Sequence, residues 1–242
     1  MTMIGDNLQL VRARIVTACT AAGRDPASVH LLAVSKTFAA EAVREAHTAG
    51  QRAFGENYIQ EGVAKIEALA DLRADLEWHC IGPMQSNKTR QVAEHFDWVH
   101  SVDRLKIAQR LSEQRPGGMP PLQLCLQVNI SGEASKSGLA PGELAEVART
   151  VAALPRVRLR GLMAIPEPAD TLDAQRAPHR ALRELMASLN ARGLALDTLS
   201  IGMSADLEAA VSEGATLLRI GSAIFGARPS FTPATAPAAP VA

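Results

Sequence analysis

The feature that most constrains this chain is a repeated alternation of short apolar runs with longer segments of helical period. Runs suited to strands occur at 31–35, 52–55, 77–82, 97–101, 122–129, 157–164, 198–202 and 216–221. Between them, near 39–49, 57–71, 86–95, 103–114, 141–153, 172–192 and 205–213, the pattern is helical. A leading helical segment spans 3–22, where Ile4, Leu8, Val11, Ile15 and Ala18 or Cys19 share a face and Gly23 ends the pattern. Strands that alternate with helices pair in parallel, and near-continuous apolar runs suit strands covered on both faces. Eight strands, seven intervening helices and one leading helix make the count of a (β/α)₈ barrel. The expected fold class is therefore α/β, a single TIM barrel with an extra N-terminal helix over residues 1–228. A doubly wound open sheet is the alternative, since the second run is short enough to be miscounted.

Composition supports a well-filled core. Apolar residues make up 47% of the 242 and charged residues 21%, whereas aromatic residues make up 3%. Leu, Ala, Val and Ile must fill that core, which favours α/β layers over an aromatic-rich sandwich. Lys plus Arg and Asp plus Glu balance at 25 each with no like-charge run, which argues against nucleic acid or an anionic membrane as partner. Cys19, Cys80 and Cys125 are far apart and lack CxxC spacing, so buried thiols in a reducing compartment are expected rather than disulfides or a zinc site. No charged head precedes an apolar leader, and no run of about 20 apolar residues could span a bilayer. The expectation is a cytoplasmic protein. The Pro- and Ala-rich segment 229–242 is expected to be a frayed tail, not a second domain.

In a parallel barrel the carboxyl ends of all strands meet on one face, where function resides. Lys36 stands at the end of the first run, and a solvated strand-end charge is the plain alternative to a chemical role. Gly202-Met203-Ser204 and Gly221-Ser222 follow the seventh and eighth runs. Glycine lets backbone approach an anion closely, and the loops after those two strands are the usual phosphate position in such barrels. Simple capping by Ser204 and a turn at Gly221 would explain the same residues. Arg219 lies inside Leu217-Leu218-Arg219-Ile220-Gly221, a run otherwise suited to burial, and shares a strand face with Gly221. A buried guanidinium needs acceptors, either a structural carboxylate or a ligand in the barrel mouth.

With these residues assembled, the chain closely resembles the pyridoxal phosphate homeostasis protein family, single-domain relatives of the barrel domain of bacterial alanine racemase. The resemblance runs from about residue 4 to Arg228. It rests on Leu-Leu-Ala-Val-Ser-Lys at 31–36, Phe-Gly-Glu-Asn-Tyr at 54–58, Trp-His-Cys-Ile-Gly-Pro-Met-Gln-Ser-Asn-Lys at 78–88 and Ser-Lys-Ser-Gly at 135–138. Arg-Gly-Leu-Met-Ala-Ile at 160–165, Gly-Met-Ser-Ala-Asp at 202–206 and Arg-Ile-Gly-Ser-Ala-Ile-Phe-Gly-Ala-Arg at 219–228 complete it. The resemblance implies that Lys36 forms a Schiff base with pyridoxal 5′-phosphate, that Arg219 faces the pyridine nitrogen, and that Ser204, Gly221 and Ser222 hold the phosphate. Asn57 and Met203 are placed near the cofactor. Cys80, Met84 and Ile201 depart from residues usual in the family, and Ser222 replaces a common threonine while keeping the hydroxyl.

An imine forms when an uncharged amine attacks an aldehyde, so partial burial and the charge of Arg219 should favour proton loss from Lys36. An arginine at the ring nitrogen leaves it an acceptor, and the ring is then a weak electron sink. Alanine racemase takes a second base, a tyrosine, from an extra domain that this chain is not expected to have. Tyr58 is the sole tyrosine and is expected to pack at a helix start. The implied function is a carrier and buffer of the cofactor, with transient contact to apo-enzymes and a monomeric state. A racemase of low activity is the alternative. A Schiff-base aldolase ranks last, because the sixth run ends Gly161-Leu162-Met163-Ala164 without a lysine. His79 is expected to be a satisfied core histidine, and Lys136 a solvated loop residue or a transient acceptor in hand-over.

Overall fold

The structure, a computed structural model, describes residues 2–133 and 137–227. Lys136 and the segment 229–242 lie outside the described residues. Helix α1 (Met3–Ala21) leads, followed by β1 (His30–Val34), α2 (Ala40–Thr48), β2 (Ala53–Glu56) and α3 (Ile59–Ala68). The chain continues through β3 (Glu77–Cys80), α4 (Thr89–His95), β4 (Trp98–Val102), α5 (Leu105–Gln114) and β5 (Leu122–Gln127). It then forms α6 (Leu144–Ala152), β6 (Val157–Met163), α7 (Leu172–Ala191), β7 (Thr198–Ser200), α8 (Leu207–Ser212), β8 (Leu217–Ile220) and a one-turn helix α9 (Ser222–Phe225). Thr2 and Thr171 cap α1 and α7, each hydroxyl accepting an amide three residues on, from Gly5 and Ala174.

All eight expected strands form, and they close in sequence order into a parallel barrel. Closure is made by β8 against β1, with His30, Leu31, Leu32 and Ala33 opposite Leu217, Leu218, Arg219 and Ile220. That pairing excludes the open sheet. Several strands stop a residue or two before their apolar runs do, and the residues beyond them stay buried, as Ser35 does, or line the mouth, as Ile81 does. The helix α9 was not expected from the sequence, because a single turn is too short to show a period. Being so short, it leaves room for α1, which packs against α2, α8 and α9 and completes the outer ring over the seam.

The core has two layers, as strand alternation requires. The larger lies between strands and helices and includes Leu8, Phe54, Trp78, Leu111, Leu124, Leu162 and Leu218. Cys80, Met84 and Ile201 are buried in it, so the departures from the family's usual residues are packing positions. Cys19 and Cys125 are buried as well. Inside the barrel are two small apolar clusters, Leu32, Val34, Ile81 and Leu217 at one side and Trp98, Cys125 and Met163 at the other. Leu32 and Val34 are two residues apart, and the same parity continues to Lys36.

Leu8 is fully buried on the face of α1 that closes the ring. Replacing it by Ala should lower the free energy of unfolding by about 2–5 kcal/mol, the usual cost of a buried leucine side chain. Urea denaturation followed by far-UV circular dichroism measures this; a change below about 1 kcal/mol, at the small end of such effects, would show that α1 does not seal the barrel.

Candidate functional site

At the carboxyl ends of the strands lies a cavity of about 310 Å³. Its lining contains Lys36, Asn57, Met203, Ser204, Arg219, Gly221 and Ser222, all seven residues singled out from the sequence, together with mainly apolar neighbours such as Val34, Ile81 and Ile165. The volume is at the lower end of the range for small-molecule sites, roughly 300–1,000 Å³. The charged side chains in the lining are Lys36 and Arg219, and none is acidic. A larger cavity of about 930 Å³ opens at the amino ends of the strands, lined by His30, Glu77, Trp98, Arg160 and Thr198 among others. That face of a barrel serves stability, and its charges are of both signs.

Lys36 lies two residues beyond β1, half-buried in a turn rather than at the end of the strand. The ladder continues one step past β1 through a hydrogen bond from Ser35 N–H to Gly55 O. Thr37, next to Lys36, has a φ of 68°, a left-handed conformation uncommon for a side chain branched at Cβ.

Arg219 is 5% exposed. Its guanidinium donates to Ser200 O, to Ser200 Oγ at 2.8 Å and to Ala164 O at 2.9 Å. Among the described residues no carboxylate pairs with it, so the structural ion pair that could have explained its burial is absent. Burial pulls its pKa down to about 10, opposed by the charge of Asp206, and it remains a cation at neutral pH.

Behind Arg219 a column of polar side chains crosses the barrel. His100 Nδ1 is 2.7 Å from Ser200 Oγ, His100 Nε2 is 2.9 Å from His79 Nδ1, and His79 Nε2 is 2.8 Å from Glu77 Oε1. Arg219 can only donate, and an ionised Glu77 can only accept. Ser200 Oγ therefore accepts from Arg219 and Glu77 Oε1 accepts from His79, with the two rings joined between them. Burial, then the charges of His79 and Arg219, hold the His100 pKa well below the ordinary histidine value, which keeps that ring neutral. Burial raises the Glu77 pKa, but the hydrogen bond and charge of His79 outweigh it and leave the carboxyl below its usual range. His79 is a satisfied interior histidine, as expected. His100 and Ser200 were missed, although their strand parity, shared with Trp98 and Thr198, was a usable signal.

The loop after β7 is shaped by Gly202 at a φ of 90°, where an added Cβ would lie 2.5 Å from Ala210 Cβ. Asp206, not Ser204, occupies the N-cap position of α8, which corrects the capping explanation for Ser204. Asp206 Oδ1 accepts Met203 N–H at 2.7 Å, Asp206 Oδ2 lies 2.9 Å from His179 Nε2, and Arg14 donates to Ser204 O at 2.8 Å. The loop is thus tied from two sides. Gly221 caps α9 and Ser222 opens it. The first amides of a helix have no intrahelical acceptor, so this turn adds donors beside the Ser222 hydroxyl.

Asn57 follows β2, and its backbone packs so closely on Gly82 that a Cβ there would lie 2.0 Å from Asn57 O. Its Oδ1 is buried without a hydrogen-bond partner among the described residues. Such an atom is costly unless a ligand or water supplies a donor. Met203 is 38% exposed at the rim. Tyr58 is 59% exposed and lines a neighbouring cavity with Lys88 and Arg104, not the one that contains Lys36. The expected packing role of Tyr58 is therefore not observed.

This parallel barrel belongs to the family described as "Alanine racemase, N-terminal domain", whose model matches residues 7–229. The chain is 65% identical to the pyridoxal phosphate homeostasis protein of Pseudomonas aeruginosa over 235 residues, covering 97% of this chain and 100% of that one. It is 56% identical to the protein of the same name from Escherichia coli strain K12, over 94% of this chain and 98% of that one. The structure of PipY from Synechococcus elongatus with PLP bound superposes with a TM-score of 0.81 at 40% identity, over 92% of this chain and 100% of that chain. The chain belongs to the pyridoxal phosphate homeostasis protein family.

The ties on the loop after β7 make stability depend on acid. Burial raises the Asp206 pKa, but His179 and the Met203 amide outweigh it, so the carboxyl sits below the ordinary aspartate range. A depressed folded-state pKa contributes stability that is full above the unfolded value, about 3.9, and is lost as pH falls through the folded value. Unfolding free energy measured in urea between pH 7 and pH 3 should fall more steeply for the wild type than for Asp206→Asn below about pH 5. Equal slopes would remove Asp206 from the loop's support.

Proposed function

We propose that this chain binds pyridoxal 5′-phosphate in the carboxyl-end cavity, with Lys36 as the attachment lysine, and carries and buffers the cofactor in intracellular vitamin B6 homeostasis. The observation that carries this reading is the lining itself: one lysine and one buried arginine without an acid, beside two serines and the orphaned Asn57 Oδ1. Such a set suits an anionic ligand that also offers hydrogen-bond donors. When bound, pyridoxal 5′-phosphate supplies an aldehyde open to an uncharged amine and a phosphate that needs several donors.

Lys36 presents its amine from the turn after β1. Ser204, Ser222 and the backbone at Gly221 serve the phosphate from the loops after β7 and β8. Arg219, held by Ser200 and Ala164, faces the pyridine nitrogen as a donor and leaves that nitrogen an acceptor. Asn57 and Met203 close the remaining walls. A racemase would need a second base facing the first, and Tyr58 does not line this cavity. The names of the relatives support the carrier over the racemase. The chain then works as a monomer that passes the cofactor on by transient contact with apo-enzymes. Among the described residues no helix is long and apolar enough to cross a membrane.

Borohydride reduction of the loaded protein, followed by peptide mass mapping, should place a pyridoxyl group on Lys36. Lys36→Ala should remove both that adduct and the visible absorbance of bound cofactor while the fold is kept. An adduct confined to other lysines would overturn the assignment. Incubation with L-alanine should give no D-alanine at an enzyme-like rate, and rapid formation would favour the racemase.

A further inference from the structure

Beneath the turn that carries Lys36 lies a buried ionic cluster not used by the site as described. Lys65, on α3, is 5% exposed. Its ammonium donates at 2.7 Å to Ser35 O, at 2.8 Å to Glu56 Oε1 and at 2.6 Å to Glu61 Oε1, which uses all three of its hydrogens. Glu56 Oε1 also accepts the Ser35 hydroxyl at 2.6 Å. Glu61 Oε1 also accepts the Thr37 amide at 2.6 Å. The two peptide groups that flank Lys36, one through the Ser35 carbonyl and the other through the Thr37 N–H, are therefore gripped by one cluster on a neighbouring helix.

Burying these groups is expensive, and Glu56 Oε2 is left without a hydrogen-bond partner among the described residues, whereas a pair built for stability alone is often replaceable by apolar packing. The cluster is better explained by where its bonds go. They fix the backbone on both sides of Lys36 and hold Thr37 in its left-handed conformation, φ 68°. Lys65 is also committed to its three acceptors and does not line the cavity, so it does not compete with Lys36 for an aldehyde.

We propose that Lys65, Glu61 and Glu56 are positioning residues: they clamp the Ser35–Thr37 backbone so that the Lys36 amine is delivered to the cavity in the geometry that covalent attachment needs. This rests on the cofactor site proposed above. Freedom in that backbone weakens the covalent part of binding, because the amine must then be oriented at the moment of attack. It leaves the contacts to phosphate and ring intact, since those come from Arg219 on β8 and from the loops after β7 and β8.

The test uses two ligands that differ at the reacting carbon. Pyridoxal 5′-phosphate can join to Lys36, whereas pyridoxamine 5′-phosphate, with an amine in place of the aldehyde, cannot. Glu61→Ala should weaken binding of the first by about tenfold, equal to about 1.4 kcal/mol, and leave binding of the second within about twofold, a difference on the order of 0.4 kcal/mol. Hydrogen–deuterium exchange in the unliganded chain should show the Thr37 amide exchanging at least about tenfold faster, as loss of local protection implies. Glu61→Gln keeps the acceptor oxygen and should restore both readouts. Lys65→Met, melted in parallel to confirm folding, should reproduce the Glu61→Ala pattern. Equal weakening of both ligands would mark general damage and overturn the proposal, as would unchanged Thr37 exchange or unchanged binding of the aldehyde. Failure of borohydride to label Lys36 in the wild type would instead defeat the cofactor site, and the exchange data would still report on the clamp.

Discussion

The pairing of β8 with β1 is the constraint on which the site depends. It joins residues near the start of the chain to residues near its end and sets Leu32 opposite Arg219. Because side chains alternate along a strand, that register points Arg219 into the barrel and aims the positions after Val34 and Ile220 at one mouth. Lys36 from one terminus and Ser222 from the other thereby line a single cavity. A slip of one residue would turn Arg219 towards the helices, where the apolar layer has no acceptor for it. The long-range closure and the local chemistry are therefore the same requirement.

Placing a guanidinium inside the barrel without a carboxylate creates a second requirement, which the interior meets with neutral groups. Ser200 and Ala164 accept from it, and Ser200 is in turn held by His100, His79 and finally Glu77. The positive end at the mouth and the negative end at the base are thus joined through a chain of hydrogen bonds rather than by contact. A direct carboxylate would have neutralised Arg219 and taken its donors from the cavity. The column instead satisfies the buried edge of the guanidinium and leaves its charge to act at the mouth.

How much of this was legible in the sequence follows from the range of the interactions. The eight strands and the leading helix show in apolar periodicity, which is local, and Arg219 showed itself as a charge inside an apolar run. Residues at strand ends could be gathered because a barrel brings all such ends together. The partners that cross the barrel could not be read in this way: His100 and Ser200 meet from β4 and β7, a hundred positions apart. Lys65 was equally hidden, because Glu61 and Lys65 read as an ordinary surface pair at four-residue spacing until the structure shows that the lysine is buried. Capping of α8 by Ser204, the plain alternative to a ligand role, fails because the helix begins two residues later, after Asp206, a boundary that a short helix does not reveal in its sequence.

These two supports, the column behind Arg219 and the cluster beneath Lys36, bear on what the cavity can do. Reaction on a bound aldehyde requires groups that take and return protons at the substrate; attachment alone requires one amine held in place. Arg219 has acceptors along its buried edge and is charged at neutral pH, which makes it a fixed donor and a poor base. Glu56, Glu61 and Asp206 are each turned to a structural partner, Glu77 lies at the opposite end of the barrel, and none of the four lines the cavity. Among the described lining residues that leaves Lys36 as the one amine. A cavity whose neighbouring acids are all turned to structural partners suits the carrier proposed above, in which one amine would hold the aldehyde.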